Sequence, residues 1–151
     1  MKQIAVVGGG ASGLVAAVMA ARQGARVLIF ERMQRVGKKL LATGNGRCNI
    51  TNRHIDIARY HSQQPAFINE VFSQFGLEQT LAFFSDLGID VVEEEDGKLF
   101  PTCQQASSVL DVLRYEAERL GVQEICETSI HAIETGKRGL RCVAAEGRTF
   151  D

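Results

Sequence analysis

Between Gly8 and Gly13 the chain reads Gly-Gly-Gly-Ala-Ser-Gly, and no other feature limits the possible fold as much as the G-x-G-x-x-G spacing of Gly8, Gly10 and Gly13. The motif follows the short β-branched run Ile4 to Val7, which suits a buried parallel strand. It opens an alanine-rich segment, Ser12 to Gln23, that reads as a helix closed by Gly24. Arg26 to Phe30 then forms a second apolar run, so strand, helix and strand fit within the first thirty or so residues. The three glycines meet different needs. Gly8 allows the tight turn, Gly10 lets backbone approach a pyrophosphate, and Gly13 lets helix and strand pack closely. Backbone N–H groups at the start of the helix favour the phosphate charge, and the Ser12 hydroxyl adds a donor. Glu31 stands 18 residues beyond Gly13, at the end of the second strand, where a carboxylate accepts hydrogen bonds from ribose hydroxyls and repels a 2′-phosphate. The reading is a dinucleotide-binding Rossmann-like α/β domain with a parallel sheet.

Beyond Glu31 the pattern departs from a simple βα repeat. Met33 to His61 has no sustained period and reads as a long surface loop, a kind that is usually functional inside a compact domain. Six basic residues, Arg32, Arg35, Lys38, Lys39, Arg47 and Arg53, fall in the stretch from 32 to 53 with no acid among them. In a chain of net charge -1 such a local excess points to an anion, either a cofactor phosphate or RNA. Helical spacing returns at Phe67, Ile68, Val71, Phe72 and Phe75, and again at Leu77, Leu81, Phe84 and Leu87, which gives a helical insertion over about 62–101. Val91-Val92 and Leu99-Phe100 flank the acidic run 93–96 as a hairpin with a solvated turn. Ser108 to Asp111 matches a capping box, so a crossover helix is expected from there to Gly121. Glu124 to Glu134 is expected to be the third parallel strand, Gly136 to Gly139 a turn, and Leu140 to Ala145 the next strand of a meander. One domain over 1–151 is the expectation.

Cys48, Cys103, Cys126 and Cys142 form no Cys-x-x-Cys pair and read as free thiols, and His54, His61 and His131 have no ligand spacing, so no metal is expected. The N-terminal apolar run is too short for a signal peptide, and no stretch approaches the roughly 18 apolar residues of a membrane span. A cytoplasmic protein with no membrane partner is expected.

Residues 37–52, Gly-Lys-Lys-Leu-Leu-Ala-Thr-Gly-Asn-Gly-Arg-Cys-Asn-Ile-Thr-Asn, resemble the signature of the BaiN/YhiN-like flavoproteins. Gly97-Lys98-Leu99-Phe100-Pro101 and Ala106 to Leu110 extend the resemblance along the chain. It implies a glutathione-reductase-type FAD fold and an FAD-dependent oxidoreductase that acts on a small-molecule substrate, with NAD(P)H as reductant. It further implies that Gly8, Gly10, Ala11, Ser12 and Gly13 hold the pyrophosphate and Glu31 the ribose. Arg32, Lys38, Lys39 and the loop carrying Thr43, Gly46, Arg47, Cys48 and Asn49 would border the cofactor, with Arg47 and Asn49 nearest the flavin. The backbone of the third strand near Ile130 would meet the adenine. Cys48 lacks the second cysteine of the disulfide reductases and reads as a structural thiol. Family members continue through a substrate domain, so the resemblance implies an N-terminal portion without the catalytic residues. Two other classes stay open: an NAD-dependent dehydrogenase on the same βαβ unit, and a tRNA-binding or tRNA-modifying module that uses the basic loop. The organic substrate and the oligomeric state are not readable.

Overall fold

A computed structural model describes residues 2–136, 139–145 and 147–150. Along the chain run β1 (Gln3–Val7), α1 (Ala11–Arg22), β2 (Arg26–Phe30), β3 (Thr51–Asn52), α2 (Pro65–Gln74), α3 (Leu77–Asp86), β4 (Val91–Glu93), β5 (Lys98–Pro101), α4 (Ala106–Arg119), β6 (Gln123–Ile125), β7 (Ile130–Gly136), β8 (Gly139–Ala144) and β9 (Thr149–Phe150). They divide into two compact units, 1–41 with 110–151, and 42–109. The helical insertion expected over about 62–101 lies inside the second unit.

In the first unit β1, β2 and β6 form a parallel sheet in the order β1-β2-β6, with Ile4 beside Val27 and Val6 beside Ile29. This is the Rossmann-like α/β arrangement expected from the glycine motif. The central strand is buried over four successive residues, Val27 to Phe30, because both of its faces are covered. Leu14, Ala17 and Val18 of α1 are fully buried, and this stripe at helical spacing carries the packing of the helix. Leu28 and Phe30 pack with Ile125 of β6 and with Cys142, Ile130 and Phe150 of the antiparallel β7-β8-β9 sheet. Burying side chains of this size stabilises the fold by roughly 1.5–3 kcal/mol each. Arg22 of α1 meets Glu116 of α4 at 3.0 Å, which ties the two helices together at the surface. Among the described strands β1 pairs only with β2, and an apolar groove of about 710 Å³ lined by Ile4, Val7, Leu28, Ile133 and Leu140 runs beside it.

The second unit is a small antiparallel sheet, β3-β5-β4, with α2 and α3 preceding β4 in the chain. The expected hairpin is present, with Val92 opposite Phe100. β3 adds a third strand that the sequence pattern did not announce, Thr51 lying opposite Leu99.

Four expectations are corrected. Glu124 to Glu134 is not one strand: β6 ends at Ile125, Glu127 turns the chain with φ of 52°, and β7 begins at Ile130 in the antiparallel sheet. Ile130 therefore opens the meander and does not belong to the parallel sheet. The helix expected from Ser108 starts at Ala106, so Ser108 is inside its first turn and caps nothing. The stretch 33–61 is not all surface, since Val36, Leu40 and Cys48 are buried. The acidic run is not wholly a solvated turn either, because Glu94 is a half-buried ion-pair partner. The turn expected over Gly136 to Gly139 falls on residues 137 and 138, which lie outside the described residues.

Candidate functional site

The glycine loop of the first unit is held from both sides by backbone. Gly8 N–H donates to the Phe30 carbonyl at 2.8 Å, Gly37 N–H to the Gly9 carbonyl at 2.7 Å, and Leu14 N–H to the Gly10 carbonyl at 2.9 Å. Gly8 has φ of 102°, a conformation that L side chains rarely adopt, so the turn out of β1 needs glycine there. A Cβ on Gly13 would overlap the Gly8 carbonyl oxygen, which fixes the close approach of α1 to β1. Gly10 is different: a Cβ there would meet no protein atom within 4 Å. Protein packing does not demand glycine at that point, but a ligand lying against the loop would.

Gly10 is the N-cap of α1, it offers no side-chain cap, and no acid stands in the first turn. The N–H groups of Ala11, Ser12 and Gly13 precede the first intrahelical donor, so they are left to an external acceptor at the positive end of the helix dipole. Ala11 and Ser12 are exposed. The donor set and the space beside Gly10 fit a pyrophosphate.

The half-buried carboxylate of Glu31 leans over this loop. Its Oε2 accepts the Gly9 N–H and its Oε1 the Met33 N–H, both at 2.8 Å. An ionised carboxylate has about four acceptor positions, so about two stay available for hydroxyl donors. The main chain of Glu31 is fixed as well, because its N–H donates to the Ile125 carbonyl at 3.0 Å and its carbonyl accepts Thr128 N–H at 2.9 Å. A Cβ on Gly9 would meet Val36 Cγ1 at 2.5 Å and Glu31 Oε2 at 3.3 Å, so this glycine, which the motif leaves unspecified, is what lets the acid approach. Cys126 belongs to the same neighbourhood. Burial pushes its thiol up, the Glu124 and Glu31 charges add to that, and the Val36 N–H works against it. Gly9, Val36 and Cys126 carry no sequence signal of a site role. Arg32, Lys38 and Lys39 are exposed and have no ion-pair partner among the described residues.

Thr43, Gly46, Arg47, Cys48 and Asn49 all lie in the second unit. Gly44, Asn45 and Gly46 have φ of 55°, 55° and 84° and coil the loop, which Cys48 N–H closes on the Thr43 carbonyl at 3.0 Å. Thr43, Gly46 and Asn49 are exposed and Cys48 is buried. Burial raises the Cys48 thiol above its ordinary value of 9.0, against a lowering hydrogen bond from Thr43 and with a small rise from Cys103. A group raised in the fold stabilises fully below its unfolded value and loses that contribution as pH climbs through the folded one. The melting temperature should therefore fall as the pH climbs above the ordinary thiol value of 9.0, and Cys48→Ala should flatten that fall. An unchanged slope in the variant would show that Cys48 plays no part.

Arg47 is tied down. Its Nη1 donates to Glu94 Oε1 at 2.8 Å, Glu94 Oε2 at 2.9 Å and Gln104 Oε1 at 3.1 Å. Its Cζ lies 4.1 Å from the centre of the Phe100 ring.

A glycine loop, an uncapped helix N-terminus and a pinned acid on a β1-α1-β2 unit define a domain of the Rossmann class. The HI0933-like protein Rossmann domain family matches residues 2–151, and the chain belongs to that family. The resemblance drawn from residues 37–52 is borne out at this level. The 3-dehydro-bile acid delta(4,6)-reductase of Clostridium scindens is 41% identical over 152 residues, 99% of this chain and 37% of that protein. A ribosomal RNA dihydrouridine synthase of Haemophilus influenzae is 29% identical over 130 residues, 85% of this chain and 32% of that protein. The chain thus spans about a third of the length of these curated relatives. In shape it is similar to the 3-ketosteroid-delta4-(5alpha)-dehydrogenase of Rhodococcus jostii RHA1 in complex with 4-androstene-3,17-dione, with a TM-score of 0.67 and 17% identity over 98% of this chain and 43% of that one. No helix among the described residues is long and apolar enough to cross a membrane.

Proposed function

We propose that the chain is the cofactor-binding part of an FAD-dependent reductase that saturates a C=C bond conjugated to a carbonyl group. The observation that carries the cofactor assignment is the Gly10 position, open to a ligand at the uncapped start of α1 while Glu31 is held over the same loop at Gly9. Gly8, Gly10, Ala11, Ser12 and Gly13 would hold the pyrophosphate and Glu31 the adenosine ribose. To the same cofactor the resemblance assigns Arg32, Lys38, Lys39, Thr43, Gly46, Arg47, Cys48, Asn49 and the Ile130 backbone. FAD is favoured over NAD because a whole unit, 42–109, follows β2 where NAD domains continue into another βα repeat.

The reaction class rests on the names of two relatives. A delta(4,6)-reductase acting on a 3-dehydro bile acid and a dihydrouridine synthase share one chemistry, the addition of two electrons and two protons across a C=C bond activated by a carbonyl. The flavin supplies the hydride, NAD(P)H is the reductant, and the protein supplies orientation and electrostatics. Of the two substrate classes, a small apolar enone is favoured by the 41% relative and by the near-neutral charge of the chain. Uracil in RNA is the second reading, and it is the one named by the 29% relative.

Visible spectra of the purified chain before and after addition of FAD, with NAD as the control, test the cofactor. Flavin bands and saturable, FAD-selective binding are expected. Colourless protein that binds NAD alone would return the dehydrogenase reading. Salt-sensitive RNA binding that is lost on removing the charges of Lys38 and Lys39 would favour the RNA substrate.

A further inference from the structure

Four of the five described non-glycine residues with left-handed backbone, Asn45, Cys48, Asp96 and Gln104, lie in the second unit. A residue so placed is strained and persists where the surroundings over-determine it, which happens most often at functional sites. Three of the four surround one side chain. Asn45 and Cys48 flank Arg47 in sequence, and the Gln104 amide accepts from it. The Gln104 Nε2 in turn donates to Glu94 Oε1 at 3.1 Å, so guanidinium, carboxylate and amide form a closed triangle whose guanidinium lies over the buried Phe100 ring.

The way Arg47 is held is informative. An arginine that serves only to tie a carboxylate commonly engages it through two nitrogens of its planar fork. Here every hydrogen bond from the guanidinium to the described residues leaves through Nη1. Nε and Nη2 keep three N–H groups that have no acceptor among the described residues, on a side chain that is 40% exposed. Glu94 also offsets part of the positive charge.

We infer that Glu94, Gln104 and Phe100 are positioning residues that hold Arg47 as an oxyanion anchor, its free Nε/Nη2 fork taking an oxygen that becomes negative during reduction. The inference rests on the reductase reading above. Hydride addition at the β-carbon of an enone breaks the C=C π bond and moves that electron pair through the carbonyl onto oxygen. A solvent proton then completes the α-carbon, and the hydride donor is left oxidised. A fixed guanidinium fork stabilises that oxygen most when its charge is greatest. The same chemistry would serve a carbonyl oxygen of the reduced flavin.

The test uses 4-nitrophenolate, a planar anion that mimics an enolate, titrated into the chain and followed by its visible band. Saturable binding is expected, weakened about tenfold by Arg47→Lys, which keeps the charge and loses the fork. Glu94→Gln keeps an acceptor for Nη1 and removes the countercharge, so it should tighten binding about threefold, and this gain should vanish in an Arg47→Gln background. A merely structural salt bridge would give neither the sign nor the coupling. In FAD-loaded protein, Arg47→Gln should lower the two-electron potential by about 30 mV, a tenfold change, if the oxygen belongs to the flavin. An unmoved potential with lost phenolate binding assigns the oxygen to the substrate. Equal phenolate affinity in wild type, Arg47→Lys and Arg47→Gln, together with an unmoved potential, overturns the inference. Failure of FAD to bind while phenolate binding still depends on Arg47 would sink the cofactor reading and leave the anchor.

Discussion

Gly10→Ala should weaken FAD binding about 100-fold, or about 2.7 kcal/mol, and leave the fold intact. The Gly10 backbone, at φ of -77° and ψ of -174°, is open to any residue, and the added methyl meets no protein atom. Two small effects nearly cancel in the unliganded chain. Alanine is a poorer N-cap than glycine, but it also restricts the unfolded chain. The melting temperature should stay within about 3 °C of wild type. Gly13→Ala should behave in the opposite way: its methyl overlaps the Gly8 carbonyl oxygen, so α1 must move off β1, at a cost of roughly 3 kcal/mol and roughly 10 °C. Thermal unfolding and flavin-fluorescence titration of the two variants side by side separate the roles. If Gly10→Ala bound FAD like wild type, the space beside the loop would not be where the pyrophosphate lies.

The contrast between these glycines also shows how far the primary structure could be read. The motif identified Gly8, Gly10 and Gly13 because a βα turn around a phosphate repeats the same three requirements in many proteins. It was silent on Gly9, whose need for a bare backbone comes from Val36 and Glu31, 27 and 22 residues away. The parallel sheet and α1 were legible because their apolar runs are continuous or keep helical period and end at glycines. The break between β6 and β7 was not, since the chain turns at Glu127, a residue with no turn preference, and the flanking alternation reads straight through.

The second unit was the least legible part. Arg47 stood out through the family resemblance, but its partners did not. Glu94 sits in an acidic run whose local pattern is that of a solvated turn, and Gln104 follows β5 with nothing to mark it. Local periodicity carries no information about pairs 47 and 57 residues apart. These are the interactions that decide whether the guanidinium is a free charge or an oriented one.

Glu31→Ala should lower both stability and cofactor affinity, because in the proposed reading this one carboxylate serves the fold and the ligand together. Without it, the Gly9 and Met33 N–H groups lose acceptors at 2.8 Å in a half-buried setting. An unsatisfied buried donor costs about 1–3 kcal/mol, and partial access to water places this pair near the low end, so a loss of about 2 kcal/mol and a fall of roughly 6 °C are expected. Glu31→Gln does not rescue it. Only one oxygen stays as an acceptor, and the amide NH₂ is turned toward the other N–H, donor against donor. FAD affinity should fall about 30-fold in both variants as the ribose hydroxyls lose a charged acceptor. Charge makes a separate prediction, readable in competition experiments against FAD. Wild type should prefer ADP-ribose to its 2′-phosphorylated form, because Glu31 repels the added phosphate, and Glu31→Ala should largely abolish that preference. A preference that survives the substitution would mean that another part of the loop excludes the 2′-phosphate. Wild-type FAD affinity in Glu31→Ala would remove the ribose from this end of β2.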